Sequence, residues 1–163
     1  MRTIILGFAL FALVDIAAAQ VTLTGRIVGI ADGDTLTQLD AGKQQHRIRL
    51  DGIDAPKTGQ AFGNRSKQSL SDLANGREAQ ASCTKTDRFG RRVCKVIVAG
   101  LDVGLEQIRR GMAWHFKRYE REQSGADRAA YAAAEAEAKA AKHGLWTDAH
   151  PLAPWEWRAT RSM

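Results

Sequence analysis

Residues 46–62, HRIRLDGIDAPKTGQAF, constrain the fold of this chain most. Polar and apolar residues alternate from His46 to Leu50, which puts Arg47 and Arg49 on one face of a strand and Ile48 and Leu50 on the other. The strand runs into Asp51-Gly52-Ile53-Asp54, and Pro56 ends any regular structure. A second acidic turn, Asp32-Gly33-Asp34-Thr35, lies upstream between two apolar-rich runs, and Asp87-Arg88-Phe89-Gly90-Arg91 lies downstream. Three turns between strands therefore carry carboxylates or guanidinium groups. Carboxylate oxygens hold hard cations, and arginines grip phosphate in bidentate fashion. Taken singly, each is most simply an ordinary turn of aspartate and glycine. The complementary chemistry of the three together points to a site.

Around these turns the pattern is one of short strands and helices. Residues 21–30, 35–39 and 44–50 read as an antiparallel meander, with Gly42 available for a positive backbone angle in the turn at 40–43. A polar loop leads into a helix over 64–75 with Ser66, Leu70, Leu73 and Ala74 on its inner face and Gly76 closing it. Residues 77–85 and 91–98 form a hairpin. Asp102 can cap a short helix to Arg109 or Arg110, closed by Gly111. Residues 126–143 read as a helix with Tyr131, Ala134, Ala138, Ala141 and Leu145 facing inward, Ser124 and Asp127 at capping-box spacing, and Gly144 as the C-cap. Trp146, Trp155 and Trp157, in the proline-containing tail, read as packing anchors. Five short strands interrupted by helices make an α+β chain that fits a small closed barrel.

The formal charge is +6, which suits a polyanion partner or simply a basic soluble surface. Arg2, the apolar run 4–14 and Ala17-Ala18-Ala19 before Gln20 have the pattern of an export signal over 1–19. That run falls well short of the ~20 apolar residues needed to span a bilayer. The expectation is one mature domain, 20–163, exported to the periplasm or beyond, with no stable membrane insertion. Export permits a disulfide between the two cysteines, Cys83 and Cys94. If the hairpin loop is a tight two-residue turn with Asp87 opposite Gly90, the cysteines face each other across the strands. Two buried thiols are the alternative.

On five motifs in order the chain resembles the staphylococcal nuclease (thermonuclease) family from Leu23 to about Arg158. They are Asp32-Gly33-Asp34-Thr35, Arg49-Leu50-Asp51-Gly52-Ile53-Asp54-Ala55-Pro56, Asp87-Arg88-Phe89-Gly90-Arg91, Arg110-Gly111-Met112-Ala113-Trp114 and Gly144-Leu145-Trp146. The resemblance implies an OB-fold barrel of five strands with three helices, and calcium-dependent hydrolysis of DNA and RNA to 3′-phosphate products by a monomer. It implies calcium ligands at Asp34, Asp54 and the Ala55 backbone carbonyl, with Asp32 behind them. It places Arg49 and Arg91 on the reacting phosphate; ion pairs to Asp51 or Asp87 are the alternative role for these arginines. Arg88, Phe89, Lys117 and Tyr119 match substrate-contacting positions, with a purely structural role as the alternative for Phe89 and Tyr119. One position departs from the family. After Asp-Ala-Pro it usually has glutamate, its proposed general base, and here stands Lys57. An ordinary lysine is protonated at neutral pH and accepts no proton. Two rival readings follow: an inactive nucleic-acid-binding module using the same groove, and an envelope structural or interaction protein that keeps only the barrel.

Overall fold

The computed structural model describes residues 20–161, so the signal-like segment 1–19 lies outside the described residues. In chain order the strands and helices are β1 (Val21–Asp32), β2 (Thr35–Leu39), β3 (Gln45–Leu50), β4 (Ile53–Asp54), α1 (Gly63–Ala74), β5 (Glu78–Thr86), β6 (Arg92–Val98), β7 (Leu101–Asp102), α2 (Val103–Arg109), β8 (Trp114–His115), α3 (Gly125–Ala140) and α4 (Pro154–Thr160). The sheet runs β3-β2-β1-β5-β6-β7, and β3 also pairs with β6, which closes five strands into a barrel. That last pairing is parallel, with Ile48 opposite Arg92 and Leu50 opposite Cys94. The apolar alternation of β3 holds: His46, Ile48 and Leu50 are buried, while Arg47 is exposed. Ile27, Leu36, Ile48, Leu50 and Val96 form one core cluster with Leu70 of α1 and Ile108 of α2. Each such side chain contributes roughly 1.5–3 kcal/mol by leaving water.

Several local expectations change. In the β2–β3 turn Lys43, not Gly42, takes the positive φ, at 62°. The Asp40 carboxylate accepts from the Gln44 N–H at 2.9 Å, and its carbonyl accepts from the Lys43 N–H at 3.0 Å, which holds the turn in that shape. The β5–β6 loop is longer than a two-residue turn. Asp87 donates its N–H to the Arg91 carbonyl (2.8 Å) while its carboxylate accepts from the Phe89 and Arg91 N–H groups (2.9 and 3.0 Å). A bulge between Cys83 and Lys85 absorbs the extra residue, so Cys83 still faces Cys94, and the two are disulfide-bonded with an S–S distance of 2.06 Å.

The long helix α3 stops at Ala140, and Ala141 is exposed rather than inward. The chain leaves the helix because Gly111 and Gly144 cross backbone to backbone: a Cβ on Gly111 would sit 2.1 Å from the His143 carbonyl oxygen. The Ser124 hydroxyl accepts from the Asp127 N–H as the capping spacing predicts, but the Asp127 carboxylate turns away to Lys95. The tail is itself helical, so the described residues hold four α-helices where three were expected. Pro154 opens α4, and Glu156 accepts from the Ala153 N–H at 3.1 Å.

Candidate active site

Closure of the barrel brings three distant turns together. The β1–β2 turn carries Asp32 and Asp34 around Gly33, where a Cβ would lie 1.8 Å from Ser66 Oγ; only glycine lets α1 approach so closely. Gln107 of α2 locks the turn by donating to the carbonyls of Gly33 (2.8 Å) and Ser66 (3.0 Å). Asp32 in turn accepts from the Asp34 N–H at 3.1 Å. Thr35 pairs with Arg49 across β2 and β3, and Arg49 pairs with Val93 across the closing seam. Asp54 follows on β4, held by pairing with Trp114 of β8.

Asp34 and Asp54 are both completely buried. Asp34 Oδ1 accepts from the Thr35 hydroxyl (3.0 Å), and Oδ2 accepts from the Ala55 N–H (2.8 Å) and the Lys57 ammonium (2.6 Å). Arg49 Nη1 lies 2.9 Å from the same Oδ2. Asp54 Oδ1 faces Lys57 Nζ (3.3 Å), Arg158 Nη1 (3.2 Å) and Arg49 Nη2 (3.5 Å), while its Oδ2 accepts from Arg158 Nη2 (2.7 Å). Lys57 Nζ also lies 3.7 Å from Asp32 Oδ2. Arg91 pairs with Asp87 at 2.7 Å and donates to the Thr35 hydroxyl at 3.3 Å. Burial pushes the Asp34 carboxyl up, but Arg49 and Lys57 outweigh it and hold the group well below the usual carboxylate range. Asp32 moves the other way, raised by burial and by the charge of Asp34. Burial alone would lower Arg49, yet Asp34 and Asp54 raise it, so it stays charged.

A five-stranded barrel with two arginines and three aspartates at one pole is joined by matches along the sequence. Residues 47–148 match the staphylococcal nuclease homologue family. An uncharacterized endonuclease of Haemophilus influenzae is 38% identical over 135 residues, 83% of this chain and 72% of the relative. A micrococcal nuclease of Shigella flexneri is 37% identical over 169 residues, covering 92% and 94%. Protein ParB of Escherichia coli is 36% identical over 159 residues, covering 92% and 87%. The chain belongs to the staphylococcal nuclease homologue family. Its fold and the family agree, and the expectation of a thermonuclease-like barrel holds.

The remaining residues singled out on family grounds divide into two groups. Phe89 stands exposed at the tip of the β5–β6 loop, with the Arg88 and Arg91 guanidinium groups 4.7 and 5.4 Å from its ring centroid. Tyr119 is exposed beside Phe116, with Lys85 over its ring. Lys117 is turned elsewhere: its ammonium lies 3.2 Å from buried Glu135, which also accepts from Lys139 and the His115 N–H. Sequence reasoning missed Arg158, which reaches Asp54 from α4, and Gln107, which pins the acidic turn. Pro154 followed two residues on by Glu156 is the start signal that would have revealed the helix carrying Arg158. Trp155 is no anchor in the core. It stacks on Phe116 (5.4 Å) and lines, with Trp114, Lys139 and Arg158, an open cleft of about 560 Å³.

Calcium takes six to eight oxygens, several of them charged. Here every Asp34 and Asp54 carboxylate oxygen faces an N–H or O–H donor. Among the described residues no group of three His, Cys, Asp or Glu side chains is arranged to hold a metal ion. As placed, the residues do not fit the ion that the family resemblance implies.

Proposed function

We propose that the protein acts on the phosphodiester bonds of DNA and RNA, and that it hydrolyses them slowly to 3′-phosphate products. The observation that carries this reading is the convergence of Arg49, from β3, and Arg91, from the β5–β6 loop, on the Asp34–Thr35 pair. Two guanidinium groups at one point spread the charge of a five-coordinate phosphorus over several donors. Water attacking phosphorus would release the 5′-oxygen and leave the phosphate on the 3′ side. Phe89, with Arg91 over its ring, and Tyr119, beside Phe116 and Lys85, offer exposed aromatic faces for a base or ribose. The pattern of residues 1–19 together with the Cys83–Cys94 disulfide supports an exported protein.

Binding without turnover is the second reading, and one observation favours it. Asp34, at the centre of the site, is already paired with Arg49 and Lys57, which hold its carboxyl below its ordinary range and make it a poor proton acceptor. Cleavage of end-labelled single- and double-stranded DNA and RNA, against an Arg49→Ala/Arg91→Ala control, separates the two. Turnover above the control supports the hydrolase. Binding that weakens steeply with salt but yields no product leaves the binding module. No binding at all returns the chain to a structural role.

A further inference from the structure

Lys57 is the only side chain that touches all three central carboxylates among the described residues. Its Nζ lies 2.6 Å from Asp34, 3.3 Å from Asp54 and 3.7 Å from Asp32. An ammonium has three N–H donors and no acceptor, and three carboxylates surround this one. The backbone that presents it is fixed. The Lys57 N–H donates to Gln60 Oε1 (3.0 Å), and its carbonyl accepts from the Gln60 N–H (2.8 Å). A Cβ on Gly63 would come within 2.2 Å of that carbonyl, so the loop folds tightly back on Lys57. Gln60 is itself tied down, donating to the Leu152 carbonyl at 2.8 Å.

We propose that the Lys57 ammonium is the resident cation of this carboxylate group and takes the place of a divalent metal, so that phosphate is bound without one. The donor set explains the exclusion. A divalent ion bridging Asp34 and Asp54 would have to displace the hydrogen-bonded Lys57 and Arg158 and the ion-paired Arg49, or sit beside like charges. Among the described residues the ion pairs here join four carboxylates, Asp32, Asp34, Asp54 and Asp87, to four cations, Lys57, Arg49, Arg91 and Arg158. Such a site carries no net charge to attract a metal, and it still presents arginines to a phosphate. Lys57→Glu removes one positive charge and adds one negative, a net change of two that one divalent ion returns. The phosphate half of the inference rests on the function proposed above, and the metal half does not.

The test titrates calcium chloride into the full chain by calorimetry. Wild type gives no saturable binding in the millimolar range. Lys57→Glu gains a single site and Lys57→Met a weaker one, each at least roughly tenfold tighter than any wild-type signal because ligand charge sets affinity. Adding Asp54→Asn to Lys57→Glu abolishes the gained site. Thermal melts follow suit: calcium raises the Tm of both Lys57 variants and leaves wild type unmoved. Because Lys57→Met introduces no buried charge, it keeps the test open if Lys57→Glu does not fold. Wild-type calcium binding that is lost on Asp54→Asn overturns the proposal, as do folded Lys57 variants with no calcium response. A fluorescent single-stranded oligonucleotide provides the second arm. Equal affinity in calcium and in chelator supports metal-free phosphate binding, and affinity lost in chelator overturns it. If the oligonucleotide does not bind under either condition, the nucleic-acid reading falls, while the calcium titration still decides the role of Lys57.

Discussion

Two lysine–carboxylate clusters in this molecule satisfy their acids in opposite ways. Near α2, Asp102 accepts from the N–H groups of Gly104 (3.0 Å) and Leu105 (3.2 Å) and from the Tyr131 hydroxyl (2.9 Å). Burial and the Asp102 charge push the Tyr131 hydroxyl well above its ordinary range, so it remains a donor. Neutral groups and the helix N-terminus therefore do most of the stabilising, and Lys95 adds only a contact at 3.6 Å. At the barrel pole the same charge type is met mainly by cations: Arg49 and Lys57 on Asp34, and Arg158 on Asp54. A carboxylate capped by neutral donors has a structural task and no use for a metal. Carboxylates that need cations form a site where the choice of cation decides the chemistry.

Replacing each lysine by methionine, which keeps much of the stem, breaks this comparison at graded points. The side chains of Lys57, Lys95 and Lys117 are 18%, 36% and 56% exposed. Lys57→Met should cost most, roughly 3 kcal/mol, because it leaves buried carboxylates short of a partner. Urea unfolding would measure it, and a loss no larger than that of Lys95→Met would erase the distinction between the clusters. Lys95→Met should cost about 1 kcal/mol in the same assay.

The pH dependence of Lys95 sharpens the point. Burial alone would lower its pKa, but the hydrogen bond it donates to Asp127 and the charges of Asp102 and Asp127 raise it above the ordinary 10.5. The stabilisation is therefore complete below pH 10.5, where the lysine is charged folded or unfolded, and is lost as pH climbs through the raised folded value. The gap between wild type and Lys95→Met should stay constant through neutral pH and close at both extremes, in strong base as Lys95 loses its proton and in acid as Asp127, whose carboxyl Lys95 holds below its ordinary value, gains one, as read by denaturant melts across pH. Lys117→Met should change stability least, by under about 0.5 kcal/mol, because that lysine is mostly solvated and Glu135 retains Lys139. A larger loss would mean that Lys117 holds more than one edge of the cleft.

Much of this arrangement can be read from the residues alone. Strand β2 matches its expected bounds at both ends, and Asp102 caps α2 through its side chain as its position suggests. Alternation and capping are local, so local sequence carries them. The cysteine pairing is also right, although by a different route: the loop is longer than a tight turn, and a bulge restores the register. Where Nζ of Lys57 points is not legible, because a four-carbon stem has many rotamers and only the folded pocket selects among them. Arg158 is farther still from view, since it meets Asp54 across 104 residues. Such a contact leaves no periodic trace in either segment.

The parallel seam between β3 and β6 has a bearing on timing. Arg49 and Arg91 share no local structure; β4, α1 and β5 lie between them in the chain, and the pairing of β3 with β6 is what brings their strands side by side. Contacts of such long reach form late, after the entropy of the intervening loop has been surrendered. A chain still being made therefore carries both arginines but no assembled pair, and the two come together in a single step when the barrel closes.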